Sequence, residues 1–151
     1  MIAVIQRVKS SAVSVDGSTV ARGGAGLLIL VGVERGDDAD DVRLLSDKVL
    51  RCRIFGGADG RMNLSVTDIG GDVVAVPNFT LLAAYRKGNR PDFMNSAPPE
   101  AALPLFEGFC TALSAAVHTE CGVFGADMQV SMEGDGPVTI VMDSRHLKRE
   151  R

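Results

Sequence analysis

The sequence predicts a single α/β domain in which a mostly antiparallel, layered or barrel-like β-sheet carries two main helices on one side. Its 151 residues suit one domain, because a chain of this length buries roughly 70% of the surface that it exposes when unfolded. Two stretches repeat apolar residues at helical spacing, and many short segments rich in β-branched residues surround them. No repeat, linker or low-complexity tract divides the chain, so residues 1–151 are expected to form one unit, with residues 145–151 as a basic tail that is free to move.

The first third of the chain is predicted to form strands. A segment rich in valine precedes the Asp-Gly pair at residues 16–17, which is a hairpin turn signal. We therefore expect strand, turn and strand up to about Ala21, followed by a glycine-rich loop at residues 22–26. The apolar run at residues 27–33 is typical of a strand that is buried on both faces.

Two helices are predicted from apolar spacing and from their first residues. The first begins among the aspartates of residues 37–41, because negative charge is favourable at a helix N-terminus. The second runs from about Glu100 to His118, with Pro104 placed in its first full turn.

The remaining segments are predicted to be strands and loops. Turn signals at residues 58–60 and 70–72 indicate a hairpin-like region, with a strand at residues 73–76. A long polar loop covers residues 83–99, and loops of that length are often functional. The chain then closes with a strand, a turn at residues 133–136 and a final strand.

Composition excludes several classes of function. The net charge of −3 does not indicate a nucleic-acid-binding protein, so any RNA contact needs a local basic patch. Three cysteines without a C-x-x-C pair predict free thiols and a reducing, cytoplasmic location. Two widely separated histidines predict no metal site, and the absence of P-loop and G-x-G-x-x-G motifs predicts no cofactor. The longest apolar run is too short to cross a bilayer, so no membrane association is expected.

Two stretches carry unusual chemistry, namely VPNFTL at residues 76–81 and FGADMQVSMEGDGPVT at residues 124–139. Further segments flank them in order along nearly the whole chain: AVIQRV, GLLILVGV, DGRMNLSVTDIGG, RKGNRPDF and SAPPE. In this combination the sequence resembles the D-aminoacyl-tRNA deacylase family, whose enzymes remove D-amino acids that are misattached to tRNA.

The resemblance is incomplete at the two motifs that mark this family, S-Q-F-T-L and N-x-G-P-V-T. Three positions depart from them, with Pro77 for Ser, Asn78 for Gln and Gly134 for Asn. Asn78 keeps the amide but is one methylene shorter, and Pro77 removes a backbone donor and a hydroxyl. The departures leave Phe79 and Thr80 unchanged, together with the Gly136-Pro137 pair.

The resemblance implies hydrolysis of the ester bond of D-aminoacyl-tRNA by a homodimer whose active sites lie at the subunit interface. In this family the Gly136-Pro137 peptide is expected to be cis and to enter the active site of the partner subunit. Its carbonyl oxygens would stand where the side chain of an L-amino acid must go, which excludes that enantiomer by clash. Glycine has no side chain to exclude, so glycyl-tRNA mischarged on alanine tRNA is a second expected substrate.

The resemblance also implies that backbone carries the catalysis. The amides around Phe79 and Thr80 are the expected oxyanion donors and substrate-positioning groups, with assistance from the 2′-hydroxyl of the terminal adenosine of the tRNA. Thr80 itself stays open between a ligand contact, a nucleophile and a structural residue, and no base near it is evident in the sequence. A conventional alternative base, Asp143, follows an apolar strand, where a strand-end turn is the competing interpretation.

The remaining site residues follow from the same motifs. Asn78, Ala97, Phe124 and Met128 are expected to bind substrate around the terminal adenosine, with strand core as the alternative for Phe124 and Met128. Arg7 is expected to anchor the Gly-Pro turn, unless it is an exposed strand residue. Six basic residues either contact tRNA phosphates or form a solvated charge run: Arg86, Lys87, Arg90, Lys148, Arg149 and Arg151.

Two other functions stay open at this point. A non-catalytic module that binds RNA ends or a metabolite is kept because of the altered Pro77 and Asn78. A paralogous deacylase with relaxed chirality is kept because of Pro77.

Overall fold

The computed structural model describes residues 1–148, and its main sheet contains six strands in the order β2-β1-β3-β6-β7, with β8 paired to β1. A separate hairpin, β4-β5, lies outside it. The strands are β1 Ile2–Val15, β2 Ser18–Gly23, β3 Gly26–Gly32, β4 Phe55–Gly56, β5 Met62–Leu64, β6 Asp72–Pro77, β7 Thr119–Cys121 and β8 Gln129–Asp143. The predicted α/β domain with two main helices is confirmed.

The two ends of the main sheet are built differently. Strand β1 pairs antiparallel with β2, β3 and β8, whereas β6 is parallel to both β3 and β7. A parallel pair needs a long crossover, and each of the two helices supplies one. The expectation that β6 belongs to the preceding hairpin was wrong, because β5 pairs with β4 while β6 pairs with β3.

Helix α1, Ala39–Arg51, begins where the aspartates predicted it. The Asp38 side chain accepts hydrogen bonds from the amides of Asp40 and Asp41, and the Asp41 carboxylate accepts one from the amide of Asp38. This reciprocal capping satisfies amides that the first helical turn leaves without partners.

Helix α2, Pro99–Ser114, starts with proline, whose missing amide costs nothing at that position. It ends four residues before the predicted His118, and Pro104 lies inside it. The buried apolar residues of both helices pack against those of β1, β3 and β6 to form the main core. Within residues 1–148, neither helix combines the length and the apolar character needed to span a membrane.

Strand β8 corrects another prediction. Residues 133–136 were expected to turn between two strands, but one continuous strand runs through them and pairs with β1. Gln6 of β1 pairs with Thr139 of β8, and Val8 pairs with Gly134. Between these two pairs, β1 contributes only Arg7, whereas β8 contributes residues 135–138. The excess residues form a bulge that projects from the strand opposite Arg7.

The chain after β8 packs against the start of α1. The Ser144 hydroxyl is buried and donates to the Asp41 carboxylate at 2.6 Å, and the Lys148 ammonium lies 2.9 Å from the same carboxylate. Lys148 is thus engaged within the chain, while Arg149 and Arg151 lie outside the described residues.

Candidate active site

The candidate site begins where the parallel strands β3 and β6 end. Pro77 is the last residue of β6 and lies beside Val31, and the amide of Asn78 donates to the Val31 carbonyl at 2.8 Å. The chain then turns into a short 3₁₀ helix, Phe79–Leu82. In open α/β sheets, ligands bind outside the carboxyl ends of parallel strands, and the same ends border cavities in this nearly closed sheet.

Asn78 fixes the first turn of this 3₁₀ helix. Its Oδ1 accepts from the amide of Thr80 at 3.2 Å and also from the hydroxyl of Thr80. Since Oδ1 is committed to Thr80, the Nδ2 group is the part of Asn78 left to meet a ligand, and Asn78 lines the cavities on both sides.

The two amides expected to act as oxyanion donors therefore differ. The Thr80 amide is occupied by Asn78, whereas nothing within residues 1–148 accepts a hydrogen bond from the Phe79 amide. The Thr80 hydroxyl also donates to the carboxamide of Asn78, a group that is too weak a base to activate a nucleophile. Phe79 is thus the residue whose backbone donor can bind a ligand without breaking a bond in the protein.

Two residues of the long polar loop hold Phe79 in place. The Phe79 ring meets the edge of Phe93 with their centroids 5.1 Å apart, and the Ser96 hydroxyl donates to the Phe79 carbonyl at 3.1 Å. The Phe79 side chain nevertheless remains 57% exposed. Sequence reasoning assigned no role to Phe93 or Ser96, although both lie within the quoted motifs RKGNRPDF and SAPPE.

A cavity of about 380 Å³ lies on one side of Phe79 and is called the main cavity because it gathers most of the predicted substrate-binding residues. It brings together four of the predicted site residues, namely Asn78, Phe79, Ala97 and Phe124. Phe124 packs against Phe106 of α2 with their ring centroids 6.3 Å apart. A mostly apolar pocket with aromatic walls and a few polar groups suits a flat heterocycle.

A second cleft of about 590 Å³ lies on the other side of Phe79. Thr80 and Met128 line it, together with Val130 and Met132 of β8. Met128 comes close because Gly122 leaves room for it: a Cβ at Gly122 would lie 2.7 Å from the Met128 sulfur. Pro77, Asn78, Phe79 and Gly125 border both cavities, so Phe79 stands at the boundary between them.

The Gly136-Pro137 pair lies in the β8 bulge, and its peptide bond is cis. Arg7 holds the base of the bulge, since its Nε donates to the Asp135 carbonyl at 3.0 Å and its Nη1 donates to the Ile54 carbonyl at 2.7 Å. Gly136 has φ +133°, and a Cβ there would lie 2.8 Å from the Val138 amide nitrogen. The pair is exposed and lines neither cavity of its own chain.

Charged groups around the site divide into paired and unpaired sets. The hydrogen bond from Arg145 lowers the pKa of Asp143, which is therefore an ionised partner of Arg145 instead of a general base.

The basic residues of the long polar loop are unpaired in the described chain. No salt bridge within residues 1–148 involves Arg86, Lys87 or Arg90, and all three are exposed. The same part of the chain contains no group of three or more acidic, His or Cys side chains that could hold a metal ion.

Comparisons with known proteins agree along the whole chain. A family model described as D-Tyr-tRNA(Tyr) deacylase matches residues 4–143. A D-aminoacyl-tRNA deacylase of Anaeromyxobacter dehalogenans is 53% identical over 148 residues, which are 97% of this chain and 99% of the relative. One of Thermus aquaticus is 48% identical over 145 residues, which are 95% of each chain.

Two solved structures share the fold. The c-Myc DNA Unwinding Element Binding Protein has a TM-score of 0.89 at 34% identity, covering 95% of this chain and 98% of its own. A probable eukaryotic D-amino acid tRNA deacylase has a TM-score of 0.79 at 17% identity, covering 93% and 97% of the two chains.

Proposed function

This chain belongs to the D-Tyr-tRNA(Tyr) deacylase family, and we propose that it hydrolyses the ester bond of D-aminoacyl-tRNA and releases free amino acid and tRNA. The observation that carries this proposal is the match of the family model to residues 4–143, supported by relatives of the same name at 53% and 48% identity. Such an enzyme acts where tRNA is charged and used, which places it in the cytoplasm.

The terminal adenosine of the tRNA occupies the main cavity in this proposal. The Phe106 and Phe124 rings offer apolar surface to the base, and Ala97 leaves room beside them. The aminoacyl ester then lies near Phe79, where the two cavities meet. The Nδ2 group of Asn78, oriented by the bonds of its Oδ1 to Thr80, donates to the substrate.

Water attacks the ester carbonyl carbon, and negative charge develops on the carbonyl oxygen. The free amide of Phe79 donates to that oxygen, and one such donor contributes roughly 10²–10³-fold in rate. The bond between the carbonyl carbon and the ribose 3′-oxygen then breaks, the added water gives up a proton to solvent, and the leaving 3′-oxygen takes up a proton. The 2′-hydroxyl of the same ribose assists, which suits a site with no histidine among its lining residues.

Selection between enantiomers comes from a second copy of the chain. The exposed Gly136-Pro137 pair of one protomer enters the cleft of its partner, where its carbonyl oxygens exclude an L side chain. Exposed apolar residues on β8 favour a second copy at this face, since Val130, Met132 and Val141 are 41%, 46% and 67% exposed. Val130 and Met132 also line the second cleft, so a partner seated on β8 would close it.

The proposed filter also predicts a second substrate. Glycine has no side chain for the backbone wedge to exclude, so glycyl-tRNA mischarged on alanine tRNA is also hydrolysed.

Three basic residues of the long polar loop contact phosphates of the acceptor stem in this proposal. Arg86, Lys87 and Arg90 have no partner in salt bridges of the described chain. This local basic loop acts against a net charge of −3, so the affinity for tRNA should fall steeply with salt.

The proposal is tested by hydrolysis of matched D-tyrosyl-tRNA and L-tyrosyl-tRNA. We expect rapid release of D-tyrosine with the L-substrate spared, and equal rates on both would reject the chiral filter. Replacing the terminal 2′-hydroxyl by hydrogen should slow the reaction severely, and an unchanged rate would reject assistance by RNA. Tight binding of a 3′-aminoacyl-adenosine analogue without turnover of either ester would instead favour a binding module.

A further inference from the structure

Two cysteine side chains border one cleft on the far side of the main cavity wall. Cys110 lies on helix α2 and Cys121 is the last residue of β7, and both line an open cleft of about 480 Å³. The same cleft is bordered by Phe106 and Phe124, whose rings also wall the main cavity. Both thiols are free and half-buried, and nothing in the proposed hydrolysis uses them.

The two thiols are neighbours in this cleft and are not equivalent. The interaction between them raises the pKa of Cys110 and lowers the pKa of Cys121. Cys121 is therefore the sulfur of the pair that ionises first, and the thiolate is the nucleophilic form of cysteine. Cys52, by contrast, has a raised pKa caused by burial, and no thiol contact affects it.

We propose that Cys110 and Cys121 form a redox-active dithiol that is oxidised by hydroperoxides to an intramolecular disulfide between α2 and β7. The Cys121 thiolate attacks one peroxide oxygen, so that an S–O bond forms, the O–O bond breaks, and the leaving hydroxide takes up a proton to become water. The Cys110 sulfur then attacks the sulfenic acid at Cys121, so that an S–S bond forms and the oxygen leaves as a second water. Two thiols lose two electrons in total, and one hydroperoxide gains them.

The geometry favours this route over deeper oxidation. A sulfenic acid condenses with a neighbouring thiol when one is within reach, and Cys110 borders the same cleft as Cys121. The cleft is open on its outer side, which gives a small peroxide access to the pair.

The test treats the reduced full-length protein with hydrogen peroxide, blocks the remaining thiols, and maps the linked peptides by mass spectrometry. We expect one product in which the peptides containing Cys110 and Cys121 are joined, with the loss of two hydrogen atoms and recovery by a dithiol reductant. Cys52 should still react with the blocking reagent after peroxide treatment. Its oxidation should be at least about tenfold slower than that of Cys121. A bridge involving Cys52, or sulfinic acid at Cys121 without any bridge, would overturn the proposal.

Matched variants separate the roles of the two sulfurs. Cys52→Ser should form the same bridge at the same rate as the parent protein. Cys110→Ser should leave a sulfenic acid at Cys121 that a cyclic 1,3-diketone traps, whereas Cys121→Ser should lose at least about tenfold in the rate of peroxide consumption. Consumption by Cys121→Ser at the parent rate would contradict the assignment of the nucleophile. The map of the parent protein decides the central point even if a variant fails to fold.

Discussion

The buried site around Asp41 and the exposed site around Phe79 are opposite in character. The Asp41 carboxylate is inaccessible to solvent and accepts hydrogen bonds from the Ser144 hydroxyl, the Lys148 ammonium and the Asp38 amide. Phe79 is 57% exposed, and its amide has no partner in the described chain. The hydrogen bonds of the first site cap α1 and hold the C-terminal segment against it, while the second site leaves apolar surface and a donor available. The proposed function therefore relies on the free donor beside the cavities and not on the cluster of charges.

The largest effect should come from removing the free donor. Phe79→Pro deletes the amide, and proline is tolerated at the first position of a helix. We expect its kcat on D-tyrosyl-tRNA to fall roughly 10²–10³-fold below that of Phe79→Ala, which loses the ring but keeps the amide. Single-turnover rates of the two variants measure this difference, and equal rates would remove Phe79 from the chemistry.

The next largest effect concerns the bulge that Arg7 supports. A Cβ at Gly136 would lie 2.8 Å from the Val138 amide nitrogen and 3.2 Å from the Arg7 Nη2, so Gly136→Ala must shift the bulge. We expect the ratio of D- to L-tyrosyl-tRNA hydrolysis to fall by about tenfold or more, since displacement of a wedge weakens exclusion. Gly134→Ala is the matched control, because a Cβ there meets nothing within 4 Å. Equal ratios for both variants would contradict the role of the bulge.

A substitution at the buried Asp41 should change the stability of the protein and leave its catalytic rate unchanged. Burial of Asp41 opposes its ionisation, but hydrogen bonds from Lys148, Ser144 and the Asp38 amide prevail and lower its pKa from 3.8 to about 2. The shift corresponds to about 2 kcal/mol of unfolding free energy, which is present above pH 4 and is lost as the pH falls through about 2.

Asp41→Asn should therefore be about 2 kcal/mol less stable at pH 7 and should lose less stability than the parent between pH 4 and pH 2. Urea unfolding at several pH values measures both effects. Asp40→Asn is the control, since its ion pair with Arg43 is exposed and is worth less than about 1 kcal/mol. Parallel pH profiles for the parent protein and Asp41→Asn would contradict the assignment.

The smallest effect separates the two halves of the Asn78 side chain. Asn78→Asp keeps an oxygen that can accept from the Thr80 amide but replaces the Nδ2 donor, whereas Asn78→Ala removes both. We expect both variants to raise KM, with the alanine variant also losing about 1 kcal/mol of local stability through the missing cap. Hydrogen exchange at the Thr80 amide reports the cap, and equal protection in both variants would contradict it.

Local signals in the sequence predicted much of the fold. The Asp-Gly turn before β2 and the aspartates that cap α1 are both present, because neighbouring residues determine these features. The glycines of residues 133–136 also carry a local turn signal, but β1 pairs with β8 on both sides of residues 135–138, so that the signal produces a bulge. The parallel pairing of β6 was missed for the same reason, since its partner β3 lies far away in sequence.

The candidate site was predicted through motifs and not through physical signals of individual residues. The structure gathers Asn78, Phe79, Ala97 and Phe124 around one cavity, while their roles stay predictions. The occupied amide of Thr80 depends on a side-chain contact two residues away, and Ser96 reaches Phe79 across a loop. Neither contact leaves a pattern in the sequence.

The most direct test of the account mixes two defective proteins. Phe79→Pro supplies an intact bulge without catalysis, and Gly136→Ala supplies an intact Phe79 with an altered bulge. When the Gly136→Ala protein is equilibrated with an excess of Phe79→Pro, each working cleft faces an unaltered bulge from its partner. We predict that hydrolysis of L-tyrosyl-tRNA is suppressed while hydrolysis of D-tyrosyl-tRNA persists. Unchanged L-hydrolysis in the mixture would show that the bulge does not act on the partner's cleft.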